Sequence, residues 1–232
     1  MLLTMKILGH CYKKVDTKKA IASFRSSIEM LCDAGRLSQA ARLSKEIAEL
    51  FENDEDSAED SVVLAIESYQ QAAELYEMEQ QKSQGSQCLA KVAELSSAAK
   101  DPPDYLRAAE IYEGLGKNCL DSNLLKYNAK GYFLQCVLCH LANRDSVGAG
   151  QAMSRFSSMD YTLRESREGK FADELVACTD GGDSEGFATA CFEYDRISKL
   201  DPWKTTVLLA IRKTIEGGGD GFDGDDDDLD LT

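Results

Sequence analysis

Proline is scarce in this sequence: its 232 residues include only Pro102, Pro103 and Pro202. Because proline removes a backbone donor and breaks helices, most of the chain contains no helix-breaking residue. Long apolar runs are also missing, and none approaches the roughly 18 residues of a transmembrane helix. The first residues do not resemble a secretory signal, because Lys6 and His10 interrupt the short apolar stretch. These absences predict a cytosolic protein.

Basic residues are outnumbered by acidic ones. The chain has 26 Lys and Arg against 41 Asp and Glu, which gives a net charge of −15. Eight of the acids and no base lie in residues 216–232, so residues 1–215 carry a net charge of only −7. A chain this acidic repels phosphates at long range, so we expect no general binding of nucleic acid. The composition of residues 216–232 predicts a separate, disordered acidic tail.

Eight cysteines are scattered through apolar helical segments rather than spaced as a disulfide framework. Such frameworks are typical of small secreted chains, so we expect mostly reduced thiols that pack as small hydrophobic residues. The sequence Cys136-Val-Leu-Cys139-His140 matches a haem-attachment pattern, and its Cys-x-x-Cys part is also found in zinc and redox sites. The only other histidine is His10, which leaves zinc short of ligands. Because residues 132–142 form an almost continuous apolar segment, we predict two core cysteines with no metal and no cofactor.

A five-residue signature, Ala-x-x-x-aromatic, recurs along the chain. The copies are Ala20/Phe24, Ala65/Tyr69, Ala108/Tyr112, Ala152/Phe156 and Ala188/Phe192. Successive copies are separated by 45, 43, 44 and then 36 residues. Positions i and i+4 share a helix face, so the alanine lets a neighbouring helix approach while the aromatic ring fills the space beside it. The repeat predicts a stack of antiparallel helix pairs.

Turn-forming residues between the copies predict where the helices end. These loop signals are residues 33–36, 52–56, 84–86, 101–104 and 114–116. Residues 121–123 predict the N-cap of a helix over 124–130, and Asp201-Pro202 predicts the N-cap and first residue of the last helix. No segment shows strand alternation bounded by turns. The prediction is an all-α solenoid, with helical repeats over 1–145, a helical bundle over 146–215 and the tail over 216–232.

Motifs of enzyme active sites are missing from the sequence. It has no nucleophile elbow, no phosphate-binding glycine loop and no zinc-binding helix motif. Helical solenoids bind other proteins on an extended concave surface, so we predict a non-enzymatic binding module. Basic residues recur near the same point of successive repeats and are candidates for a face that binds an acidic partner. They are Lys13, Lys14, Lys18, Lys19, Arg36, Arg42, Lys45, Lys91, Lys126 and Lys130.

Two long runs in the C-terminal half are distinctive. The first covers residues 121–133 and is followed by Leu138-Cys-His140, and the second covers residues 193–203 and continues to Ile215. Shorter runs of the same kind are residues 33–36, 40–41, 47–49 and 88–93. Together they resemble the alpha-type soluble NSF attachment proteins, over essentially the whole chain from about Lys13. The resemblance implies a right-handed TPR-like solenoid.

The same resemblance implies an adaptor that binds assembled SNARE four-helix bundles and recruits and stimulates the AAA ATPase NSF in vesicle trafficking. Members of the family bind the acidic bundle with basic residues, and the matching positions here are Lys13, Lys14, Arg36, Arg42, Lys91 and Lys130. Gln87 stands where the animal proteins carry a lysine. Acidic positions that meet NSF are represented by Asp180, although Gly181 and Gly182 interrupt the acidic cluster. Stimulation of NSF is implied for the acidic end and its leucines, here Asp228, Leu229 and Leu231.

Members of the family begin with further helices, including an apolar loop that touches the membrane. Contact by that loop is not assigned to this sequence, so we expect peripheral association with endomembranes mainly through SNAREs. The alternative function is a generic TPR-like scaffold, for example a gamma-type relative or a chaperone adaptor. The acid run that ends in Leu231-Thr232 favours the SNARE adaptor, because a generic scaffold has no use for it.

Overall fold

The computed structural model describes residues 12, 16–53, 58–122 and 124–217, without the side chains of residues 58 and 59. Within these ranges the chain forms helices and no strand. The α-helices are α1 (Thr17–Asp33), α2 (Leu37–Glu52), α3 (Ala58–Met78), α4 (Lys82–Ala98), α5 (Tyr105–Leu120), α6 (Ala129–Ala142), α7 (Ser146–Met159), α8 (Arg167–Gly181), α9 (Ser184–Ile197) and α10 (Pro202–Gly217). Successive helices pack against each other from α1 to α4 and from α6 to α10, which confirms the predicted all-α, TPR-like class.

Short polar side chains begin several of these helices. Asp16 Oδ1 accepts a hydrogen bond from the backbone N–H of Lys19 at 3.1 Å, and Asp145 Oδ1 accepts one from Gly148 at 2.8 Å. Asp201 Oδ1 accepts from the backbone N–H of Lys204 at 2.8 Å, and α10 begins at Pro202 as predicted. Each cap satisfies a backbone donor that the first turn of a helix leaves without an intrahelical partner.

The predicted loop at 101–104 is confirmed, whereas the loops predicted at 33–36 and 52–56 each begin one residue too early, because Asp33 and Glu52 are the last residues of α1 and α2. Three further predictions are wrong. Residues 84–86 lie inside α4 and residues 114–116 lie inside α5. The buried Gly85 lies where α4 contacts α3, because an added Cβ would be in van der Waals contact with the Ala73 carbonyl oxygen at 3.5 Å, so this glycine belongs to a helix–helix contact rather than to a turn. The helix predicted over 124–130 is a 3-10 turn at Lys126–Asn128, and α6 starts only at Ala129.

The chain divides into two compact units, residues 1–118 and 119–232. In the first unit α1, α2, α3 and α4 pack in sequence order around a common apolar core, against which Ile111 of α5 also packs. In the second unit α6 contacts α7, α8 and α10 and has more buried residues than any other helix of the unit, which makes it the central helix. The predicted boundary at residue 145 depends on the repeat pattern and stays a prediction.

The first four copies of the signature occupy equivalent buried positions. Their alanines are inaccessible to solvent, and their aromatic side chains are at most 2% exposed. The prediction for the fifth copy is wrong, because Phe192 is 63% exposed and Phe187 is the buried aromatic residue of α9 instead. No helix in the described ranges is both long and apolar enough to cross a bilayer.

Candidate partner-binding surface

Helix α2 presents one polar face. Ser38, Arg42, Lys45 and Glu49 are three or four residues apart, so they lie on the same side of the helix. The opposite side is buried in the core of the first unit. Arg36, another predicted contact residue, is exposed immediately before the helix begins. The structure therefore places two of the predicted SNARE-binding residues, Arg36 and Arg42, on or next to the polar face of one helix.

The Arg42 side chain is 73% exposed, and its Nε lies 3.6 Å from Glu46 Oε1 one turn further along α2. The Glu46 side chain is only 15% exposed, but an i,i+4 pair whose arginine is this exposed contributes only about 0.3–0.5 kcal/mol. Such a weak internal partner does not prevent a carboxylate of another protein from binding the guanidinium group. Arg42 is thus available for an intermolecular contact.

An open cleft of about 670 Å³ lies along this face of α2 and is also lined by Tyr76, Gln81 and Gln84. At its edge Ser38 Oγ donates to Glu79 Oε2 at 3.1 Å and accepts from Gln81 Nε2 at 2.8 Å, which links α2 to the α3–α4 turn. The charged side chains that line the cleft are Arg42, Lys45, Glu46 and Glu49. The cleft is therefore of mixed charge rather than uniformly basic.

Lys91 lies on α4 and binds two carboxylates of its own chain. Its Nζ is 2.9 Å from Glu52 Oε1 and 3.3 Å from Glu94 Oε1. The hydroxyl of Tyr69, on α3, donates to the other oxygen of Glu52 at 2.7 Å. Three helices are joined by these bonds, so the predicted contact residue Lys91 is also part of an internal network.

The protonation equilibria of this network follow from its geometry. Burial raises the pKa of the Glu52 carboxyl, but the hydrogen bonds from Lys91 and Tyr69 lower it more, so the net pKa is below its ordinary value of 4.5. Burial lowers the pKa of Lys91, whereas its bonds to Glu52 and Glu94 raise it above 10.5. Burial and the bond to Glu52 both raise the pKa of Tyr69. At neutral pH the network consists of a carboxylate, an ammonium ion and a neutral phenol.

Two further predicted residues lie in the second unit. Lys130 is in the first turn of α6, half-buried, and its Nζ donates to the carbonyl oxygen of Thr162 at 3.4 Å. Asp180 is exposed in the last turn of α8, where the left-handed Gly182 (φ 65°) ends the helix. The remaining predicted residues, Lys13, Lys14, Asp228, Leu229 and Leu231, lie outside the described residues.

The Cys136-x-x-Cys139-His140 segment is in the central helix α6. Both cysteines are thiols with no exposed surface. His140 Nδ1 lies 3.3 Å from Asp145 Oδ2, at the start of α7. In the part of the chain that the structure describes, no three His, Cys, Asp or Glu side chains are grouped so that they could hold a metal ion. These cysteines fill the space between α6 and its neighbours.

Sequence reasoning missed Glu52, which it assigned to a loop. Glu52 is instead the last residue of α2, where its carboxylate reaches both α3 and α4. The sequence did contain a signal for this contact, namely the tyrosine at the aromatic position of the second copy of the signature, Tyr69. The corresponding residues Phe24 and Phe156 have no hydroxyl, but Tyr69 and Tyr112 do, and a buried tyrosine hydroxyl requires a hydrogen-bond partner.

Comparison with known proteins places these features in context. The family model described as soluble NSF attachment protein, SNAP, matches residues 8–216. The chain is 36% identical over 208 residues to an alpha-soluble NSF attachment protein of Vitis vinifera, a match that covers 90% of this chain and 69% of that protein. It is 38% identical over 217 residues to the beta-soluble NSF attachment protein of Bos taurus, covering 94% and 70%. The alpha-soluble NSF attachment protein of Homo sapiens is 36% identical over 209 residues, covering 90% and 68%.

Proposed function

Because this chain belongs to the soluble NSF attachment protein family, we propose that it is an adaptor that binds assembled SNARE bundles and recruits NSF to them. NSF then disassembles the bundle, and the adaptor stimulates its ATPase activity without catalysing a reaction itself. The names of the relatives state attachment to NSF or, for a relative in Komagataella phaffii, vesicular fusion. Binding to SNAREs is inferred from the resemblance of basic residues such as Arg36 and Arg42 to the SNARE-binding positions of the family.

The observation that carries the SNARE part of this proposal is the exposed position of Arg42 beside the α2 cleft. Its guanidinium group is weakly held by Glu46, and Arg36 is exposed at the start of the same helix. An arginine can bind a carboxylate with two parallel hydrogen bonds, which suits an acidic helical surface. Since Lys91 on α4 belongs to the same compact unit, an assembled bundle that presents several carboxylates at fixed spacing fits better than one flexible helix.

The NSF part is supported by the charge of the last three described helices. Residues 167–217, which contain these helices, include ten acids and seven bases. Asp180 is exposed among them, at the end of α8. A negative surface of this kind is complementary to a basic domain of an ATPase and would increase the rate of encounter. The acidic tail, with Leu229 and Leu231, is assigned to stimulation of NSF.

The test is binding of the purified chain to an immobilised, assembled bundle of SNARE helices. Arg42→Glu should weaken binding by about 1–3 kcal/mol, or roughly five- to 150-fold, because it places like charges opposite each other. Raising the salt concentration should also weaken binding, because salt screens exposed charges.

Arg196→Glu is the matched control. Arg196 is also an exposed arginine with an intrahelical glutamate partner, since its Nη1 lies 3.3 Å from Glu193 Oε1. The control changes the net charge equally but lies outside the α2 surface, so it should leave bundle binding nearly unchanged. Equal losses in the two variants, or equal binding of single SNARE helices and assembled bundles, would favour a generic acidic-peptide scaffold instead.

A further inference from the structure

We propose that Glu52 and Tyr69 are positioning residues that hold Lys91 for contact with the acidic partner, and that Glu94 competes with the partner for Lys91. The inference rests on the proposed function, in which Lys91 contacts an acidic helical bundle. It goes further because it assigns opposite roles to two carboxylates that contact the same ammonium group.

The positioning role follows from the direction of the hydrogen bonds. The Tyr69 side chain is 2% exposed, so core packing fixes its ring and thereby its hydroxyl. That hydroxyl donates to Glu52 Oε2 at 2.7 Å, and Lys91 Nζ donates to Glu52 Oε1 at 2.9 Å. The carboxylate is therefore held from the core on one side and holds the ammonium group on the other.

A lysine has four rotatable side-chain bonds, so fixing such a side chain costs conformational entropy. Glu52 and Tyr69 restrict Lys91 before the partner arrives. A partner carboxylate then binds a charge whose position is already defined, which reduces the entropy lost on binding.

Glu94 has a different environment. It lies three residues after Lys91 on the same helix, its side chain is 43% exposed, and its Oε1 is 3.3 Å from Lys91 Nζ. Glu52 is less exposed, at 29%, and its bond to Lys91 is shorter, at 2.9 Å. Because exposed pairs within a helix are weak, an incoming carboxylate would displace Glu94 rather than Glu52. An ammonium group has three donors, so it can bind Glu52 and the partner together.

The two roles predict effects of opposite sign on partner binding. If the carboxylates acted only through their charge, Glu52→Gln and Glu94→Gln would both strengthen binding to an acidic bundle. With Glu52 as a positioning residue, Glu52→Gln weakens binding although it makes the surface more positive. Tyr69→Phe also weakens it, without any change in charge. Glu94→Gln strengthens it.

The experiment measures the Kd for an assembled SNARE bundle with the full chain and with these three variants. We expect a roughly three- to tenfold weaker Kd for Glu52→Gln and for Tyr69→Phe, the range of one hydrogen bond. Glu94→Gln is the matched control and should bind about two- to threefold more tightly. Circular dichroism at the assay temperature verifies that each variant is folded.

A second set of variants separates positioning from general loss of stability. In a Lys91→Met background, Glu52→Gln and Tyr69→Phe should no longer change the Kd, because the group that they position is absent. Effects of equal size with and without Lys91 would overturn the inference. Tighter binding by both Gln variants would also overturn it.

Failure of the inference is distinguishable from failure of the proposed function. If the unaltered chain does not bind the assembled bundle, the proposed function itself is wrong. If it binds and Lys91→Met binds equally well, the adaptor function stands and the positioning role is wrong.

Discussion

Phe156→Ala tests the central packing of the second unit. Phe156, on α7, has no exposed surface and stacks on Phe133 of α6, with ring centroids 4.2 Å apart and an interplanar angle of 13°. The substitution removes the ring from a site enclosed by protein. The neighbouring helices are held by their other contacts, so they can close only part of the resulting cavity.

The expected loss follows from this geometry. Replacing a fully buried phenylalanine by alanine destabilises a protein by about 3–5 kcal/mol, and the lost ring stacking is part of that value. Domains of ordinary size have a total stability of about 5–15 kcal/mol. With a urea dependence of about 2 kcal/mol per molar, the unfolding midpoint of the second unit should fall by roughly 2 M.

Urea unfolding followed by circular dichroism measures this change, and Phe192→Ala provides the control. Phe192 belongs to the fifth copy of the same sequence signature but is 63% exposed, so its removal should change stability by less than about 0.5 kcal/mol. If the two substitutions destabilised the protein equally, or if Phe156→Ala lost less than about 1 kcal/mol, the assignment of buried and exposed copies would be refuted.

Three further predictions concern the cysteines, the tail and the effect of pH. Replacing Cys136 and Cys139 together by Ala should lower stability by about 1–3 kcal/mol through lost packing, yet leave bundle binding intact; stoichiometric zinc or a Soret band in the unaltered protein would contradict this. Replacing Leu229 and Leu231 together by Ala should leave the melting temperature and bundle binding unchanged but reduce stimulation of NSF ATPase, and undiminished stimulation would count against the tail assignment. Because the folded-state pKa of Glu52 is below 4.5, its stabilising effect is complete above that pH and is lost as the pH falls through the folded-state pKa. The stability difference between the unaltered chain and Glu52→Gln should therefore shrink in acid, and a difference independent of pH would show that the ionised carboxylate does not stabilise the fold.

Much of the fold could be predicted because the signals are local. The spacing of Ala20 and Phe24 indicates a helix face from two residues one turn apart, and Asp201 caps α10 through a backbone donor three residues away. The same pattern failed at Phe192. Its position on a helix was correct, but the face of α9 that is buried depends on contacts with α8 and α10. Phe187 is on that face and Phe192 is not.

In the candidate site, too, some features follow from local sequence signals and others depend on tertiary contacts. That Arg42 and Lys45 share a face of α2 follows from helix periodicity alone. That Lys91 binds Glu52, 39 residues earlier in the chain, does not. Residue type and helical spacing, which the sequence itself specifies, determined the helix pairs and the positions of the charges. Only the tertiary structure decided that Lys91 is already bound to Glu52 of another helix, because helix packing must bring that carboxylate within about 3 Å of the ammonium group.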